Sequence, residues 1–152
     1  MLRGRPRGQA VDLMRAPLDR RRAIGIALGG VAGAASRWAV LTAFEASGRL
    51  PWPVLIVNVV GSALLGLLLA EESTHPRSRL LLHDAGAIGF CGGLTTFSTF
   101  ALEEANLLRD DAVGVAVTYG LVSVTLSIAG VIAGAAALRR VRSIALPLEE
   151  QP

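Results

Sequence analysis

The chain contains no lysine, one cysteine and one tyrosine, and only 5% of its 152 residues are aromatic. A lone Cys91 excludes a disulfide scaffold. His75 and His83 stand at no zinc-type spacing from Cys91, which excludes a Cys/His metal site. Charge is scarce too, at 18%, where a soluble domain carries about 25%. It is absent altogether from residues 85–102 and 112–138, and residues 23–44 hold Arg37 alone. No nucleophile–base pair or phosphate loop is visible. The run Gly29-Gly30-Val31-Ala32-Gly33 lacks the strand–helix setting of a nucleotide fingerprint. With 52% hydrophobic residues, neither a soluble enzyme nor a disordered chain fits.

What is present is four apolar segments, each near the 20 or so residues that cross a hydrocarbon core. They run from Ala23 to Phe44, from Pro51 to Ala70, from about Leu82 to Leu108, and from Ala112 to Leu138. The connectors, 45–50, 71–81 and 109–111, are short. The chain therefore reads as an all-α integral membrane protein with three parts. These are a basic, disordered N-terminal tail (1–22), a four-helix transmembrane domain (23–138) and a polar C-terminal tail (139–152). A basic leader before Ala23–Ala35 also fits a cleaved signal peptide.

All 15 basic residues are arginine, and they are unevenly placed. With four spans, both termini and the 71–81 loop share one side. Twelve arginines fall there, against Arg49 and Arg109 on the other. Excess positive charge marks the cytoplasmic side, so both termini are expected in the cytoplasm.

Each span adds something to its hydrophobicity. The first carries Gly25, Gly29 and Gly33, a small-residue face suited to close helix packing in lipid. Its Arg37 either snorkels to the interface or serves the function. The second carries Asn58, Ser62 and Gly66 on one face, with Asn58 either a bundle-holding hydrogen bonder or a pore-lining group. The fourth carries Tyr119, Ser123 and Ser127 on one face, for packing or for a polar track.

The third span reads Gly89-Phe90-Cys91-Gly92-Gly93-Leu94-Thr95-Thr96-Phe97-Ser98-Thr99-Phe100 at its centre. Gly92-Gly93 is a weak point for a helix and Thr95-Thr96 can bond locally to backbone. These residues predict a break, with one half-helix ending near Cys91 and the next starting near Thr96. Freed carbonyls there suit a cation, and freed N–H groups an anion. Beyond the break, Phe97 and Phe100 point the same way, beside a face of Thr96, Thr99 and Glu103. Phenyl edges carry partial positive charge. A line of edges and hydroxyls can replace part of an anion's water shell without a full charge that would trap it.

The run Gly89–Phe100 resembles the signature of the Fluc/CrcB family of fluoride channels. Gly29–Trp38 resembles that family's first-helix motif, Val57–Ser62 its second, and Tyr119 falls where its fourth helix carries tyrosine. The resemblance covers about residues 23–138 and implies a bacterial cell-membrane protein. It implies four-helix subunits paired antiparallel, a third helix broken mid-membrane, and passive, selective fluoride conduction that lowers fluoride toxicity. It also implies a structural Na+ at the dimer centre, held by the carbonyls of Gly92 and Thr95. The ion path would use Asn58, Phe97 and Phe100, with donors from Thr96, Ser98, Thr99, Tyr119, Ser123 and Ser127. Arg37 would sit near a vestibule and Glu103 on the polar track beyond the aromatics.

A dual-topology homodimer calls for a weak arginine bias, which this chain lacks. Either the tail arginines do not govern insertion, or the partner is an oppositely oriented relative. Two other readings compete. A small multidrug exporter needs a deep carboxylate in the first span, where only Arg37 is charged. A non-transporting scaffold accounts for the glycine faces but not for the break or the polar stripes.

Overall fold

The structure is a computed structural model that describes residues 19–44, 49–71 and 76–145. Its helical elements are α1 (Arg20–Ala43), α2 (Trp52–Leu69), α3 (Pro76–Ser78), α4 (Arg79–Cys91), α5 (Gly92–Leu94), α6 (Phe97–Arg109) and α7 (Val113–Ala145). No strand occurs among the described residues. Four stretches are long and apolar enough to cross a membrane: Arg20–Ala43, Trp52–Leu69, Leu80–Arg109 and Val113–Ile144.

The helix ends differ from the sequence expectation in two places, both because arginine favours helix when its head can find water or a partner. Helix α1 begins at Arg20, so Arg20, Arg21 and Arg22 form its first turn instead of belonging to a tail. Helix α7 continues through Arg139, Arg140 and Arg142 to Ala145, beyond the expected boundary at Leu138. The rest of both expected tails, 1–18 and 146–152, lies outside the described residues. Helix α2 starts behind Pro51 with Pro53 in its first turn, where a missing N–H costs nothing. Helix α4 is wound as a π-helix over its 13 residues.

The helices pack as two interleaved pairs, α1 against α4–α5 and α2 against α7. Glycine makes both contacts backbone-close. A Cβ on Gly29 would lie 2.0 Å from the Ala85 carbonyl oxygen, and one on Gly33 2.1 Å from that of Phe90. In the other pair, a Cβ on Gly66 would lie 2.0 Å from the Val131 carbonyl oxygen, and one on Gly134 2.0 Å from that of Ala63. Such approach strengthens van der Waals contact where lipid offers no hydrophobic drive. The buried core is correspondingly small. Leu107, Ala112, Ala116 and Tyr119 form one cluster, with Leu55, Phe100 and Val115 packed on it. Large apolar side chains such as Leu28, Val31, Trp38 and Ile132 face outward.

Ion pairs tie both helix pairs at the end where α1 begins and α7 finishes. Arg22 Nε donates to Asp84 Oδ2 at 2.7 Å and Nη2 to Oδ1 at 3.1 Å, while His83 Nδ1 lies 3.2 Å from Oδ1. Asp84 is only 2% exposed. Arg142 Nη2 bonds Glu71 Oε1 across the α2–α7 pair. Removing one partner of a buried pair strands the other charge. Arg22→Ala is therefore expected to cost about 2–3 kcal/mol, less than a fully buried pair because Arg22 is part-exposed. A lower thermal-unfolding midpoint in detergent checks this, and an unmoved midpoint removes the pair from the stability of the fold.

Candidate functional site

Two extended residues, Thr95 (φ −73°, ψ 153°) and Thr96 (φ −147°, ψ 120°), separate α5 from α6. The glycines expected to end the first half-helix do not: Gly92 is helical (φ −65°, ψ −34°) and α5 runs to Leu94. Gly93 serves contact instead, since a Cβ there would lie 2.3 Å from the Gly30 carbonyl oxygen of α1. The threonines interrupt the helix because their side chains satisfy its ends. Thr95 Oγ1 donates to the Cys91 carbonyl at 2.9 Å. Thr96 Oγ1 accepts from the Thr99 N–H at 3.2 Å and so caps α6.

Two other spans grip the extended pair. Asn58 Oδ1 accepts from the Thr96 N–H at 2.8 Å, and Asn58 Nδ2 donates to the Thr96 carbonyl at 3.1 Å. Arg37 Nη1 donates to the Thr95 carbonyl at 2.9 Å. Arg37 thus turns inward to backbone and does not snorkel.

A groove of about 350 Å³ opens beside these residues. It gathers Asn58, Thr96, Phe97, Phe100, Ser123 and Ser127 of the expected ion path together with Thr95, expected at the Na+ site, and adds Ser62. No charged side chain lines it. Phe97 is 79% exposed, and its ring centroid lies 5.8 Å from that of Phe100. Ser123 Oγ is buried without a hydrogen-bond partner among the described residues.

The remaining expected site residues stand outside this groove. Ser98 Oγ and Thr99 Oγ1 lie 3.2 and 3.0 Å from Thr96 Oγ1, so both hydroxyls serve the cap. Fully buried Tyr119 lies behind Phe100, with centroids 5.3 Å apart, and its hydroxyl donates to Glu103 Oε2 at 2.7 Å. Glu103 in turn borders a pocket of about 340 Å³ with Arg49, Asn106 and Asp110.

Residues 24–135 match the family model described as CrcB-like protein, Camphor Resistance (CrcB). The chain belongs to the CrcB family. Relatives agree along most of their length. A fluoride-specific ion channel FluC of Bordetella petrii is 36% identical over 119 residues, 78% of this chain and 92% of the relative. FluC 2 of Nocardia farcinica is 36% identical over 124 residues, 81% and 89% of the two chains. A FluC of Hahella chejuensis is 40% identical over 120 residues, 75% and 91%. The CrcB match and the four long apolar helices make this a multi-pass membrane protein.

The break of this CrcB chain also frees backbone oxygen. A continuous helix would deliver the Thr96 N–H to the Gly92 carbonyl, four residues back, but Asn58 takes that N–H. Gly92 is exposed, with nothing within 4 Å of where its Cβ would stand. Among the described residues no group of three or more His, Cys, Asp or Glu could hold a metal ion. Ser62, Arg49, Asn106 and Glu104 border the CrcB grooves although the sequence did not single them out for the site. For Ser62 the spacing from Asn58 was the available clue. For the other three nothing short of the helix packing reveals it.

Proposed function

We propose that this chain builds a passive channel, selective for fluoride, through which the ion leaves the cytoplasm and its toxicity falls. The observation that carries the reading is the uncharged groove at the break, where the Asn58 amide, the Ser123 and Ser127 hydroxyls and two phenyl rings meet. Amide and hydroxyl N–H and O–H groups replace water around a small anion. Phenyl edges add weak positive potential, and with no free cation in the groove the ion is not held. The relatives, named as fluoride-specific ion channels, support the same ion. From the groove the route continues past Phe100 and Tyr119 toward Glu103 and its vestibule. Nothing in this scheme makes or breaks a covalent bond, so the protein acts as a channel and not as an enzyme.

The reading extends to a second subunit, antiparallel to the first, with the arginine-rich end of this chain in the cytoplasm. Backbone carbonyls of Gly92 and Thr95 would hold a structural Na+ between the subunits. The donor set fits such an ion, being all oxygen, with the Gly92 carbonyl lacking its helical donor and the Thr95 carbonyl keeping one lone pair beside Arg37. Bound there, the ion would supply a fixed charge that satisfies carbonyls from both chains. Gly92→Val separates this from a purely internal role. Added bulk at Gly92 meets nothing within its own chain. The variant should keep the subunit's helix content yet lose the dimer on size-exclusion chromatography. An intact dimer would remove Gly92 from the interface.

The deciding experiment is fluoride efflux from liposomes holding this purified chain alone, read with a fluoride electrode and with chloride as control. Rapid efflux that excludes chloride supports the channel and a homodimer. Drug–proton exchange would point to an exporter, and no flux of either kind to a scaffold or a chain that needs an oppositely oriented relative.

A further inference from the structure

The two ends of the subunit carry charge differently. At the end where α1 begins and α7 finishes, the first turn of α1 holds Arg20, Arg21 and Arg22, and the last two turns of α7 hold Arg139, Arg140 and Arg142. Asp84 pairs with Arg22 and Glu71 with Arg142, which occupies one arginine of each group. The guanidinium groups of Arg20, Arg21, Arg139 and Arg140 are exposed and make no hydrogen bond or ion pair among the described residues. The turn from α6 to α7 at the opposite end sets Asp110 and Asp111 beside Arg109. Helix length fixes the depth of the four free arginines. Arg139 stands about 39 Å along α7 from Val113, and a bilayer with its headgroups is about 40–45 Å thick. Arg139 and Arg140 therefore lie at headgroup level. Arg20 and Arg21 open a helix about 36 Å long and reach the same layer. Ile24 next to the first pair, and Val141 and Ile144 next to the second, are exposed apolar side chains that keep both helix ends in the membrane surface.

We propose that Arg20 and Arg21 on α1, and Arg139 and Arg140 on α7, bind the phosphates of anionic phospholipids in the leaflet at this end. A guanidinium presents paired N–H donors to phosphate oxygens, and an anionic headgroup layer adds an attraction that a zwitterionic one lacks. The acyl chains of the bound lipids run along the exposed apolar side chains below. Helices α1 and α7 do not pack on each other, so each helix pair holds its own headgroups and both are steadied from the same leaflet.

The test titrates the purified full-length chain, in neutral detergent micelles, with phosphatidylglycerol, with phosphatidylcholine and with inorganic phosphate, and reads the thermal-unfolding midpoint. Phosphatidylglycerol is expected to raise the midpoint by several degrees, and the other two to leave it in place. The double variant Arg139→Gln, Arg140→Gln should lose about half of that rise, and a chain that also carries Arg20→Gln and Arg21→Gln nearly all of it. The double variant Arg49→Gln, Arg109→Gln removes the same charge as the first pair from the opposite end and should keep the full rise. Equal responses in the two double variants overturn the proposal, because the lipid then answers to net charge alone. An equal rise with inorganic phosphate overturns the lipid as occupant, and no rise in the wild type overturns the site. No flux is read, so the result stands apart from the channel reading.

Discussion

Phe100→Ile is expected to cut fluoride efflux about tenfold or more while the subunit stays folded. The ring of Phe100 borders the groove at the break and sits between Phe97 and Tyr119, at centroid distances of 5.8 and 5.3 Å. It also packs against the small core around Tyr119. An aliphatic side chain of similar volume keeps most of that packing, at a cost under about 1.5 kcal/mol. It does not keep the positive ring edge. A tenfold loss needs only about 1.4 kcal/mol at the top of the barrier, which one lost aromatic contact with the ion can supply. Efflux by electrode, with the unfolding midpoint alongside, checks both halves. A conducting Phe100→Ile variant would take the aromatic pair out of the mechanism.

Asn58→Ala is expected to damage fold and flux together. Its amide closes both hydrogen bonds on the peptide of Thr96, the residue that cannot bond along the helix. Alanine leaves an N–H and a carbonyl unpaired in a part-buried site, at about 1–3 kcal/mol each. Amide exchange at Thr96 should accelerate, the unfolding midpoint should drop, and efflux should fail. Asn58→Asp divides the contributions, because a carboxylate still accepts from the Thr96 N–H but sets an oxygen against its carbonyl. If Asn58→Ala exchanges at Thr96 as slowly as wild type, another group holds the break.

Much of the architecture was legible because lipid imposes a simple rule on sequence. Four apolar runs became four stretches of helix long enough to span a membrane, and their residue types brought Asn58, Thr96, Phe97, Phe100, Ser123 and Ser127 to one groove. The position of the interruption was harder. Glycine can weaken a helix or let another helix approach, and one letter covers both uses. At Gly93 the neighbour Gly30 decides for approach, and no local pattern announces that neighbour. Asp84 escaped notice for a related reason. At the edge of an apolar run it looks like a boundary residue, and only the partner at Arg22 explains its burial. Arg37 could be placed in its span, but not turned inward, until the freed carbonyl of Thr95 existed to receive it.

The interleaving of the helix pairs has a consequence for how the subunit is made. Arg22 finds Asp84 only 62 positions later in the chain, and Glu71 waits 71 positions for Arg142. At roughly 5–20 residues per second of synthesis, the first span stays uncommitted for several seconds before its partner leaves the ribosome. The second is released from waiting only when the last helix arrives. The first pair can close before the last helix is made, so a nascent chain that stalls before α7 leaves Glu71 unmatched and the Gly66 side of α2 uncovered, which distinguishes it from the finished subunit.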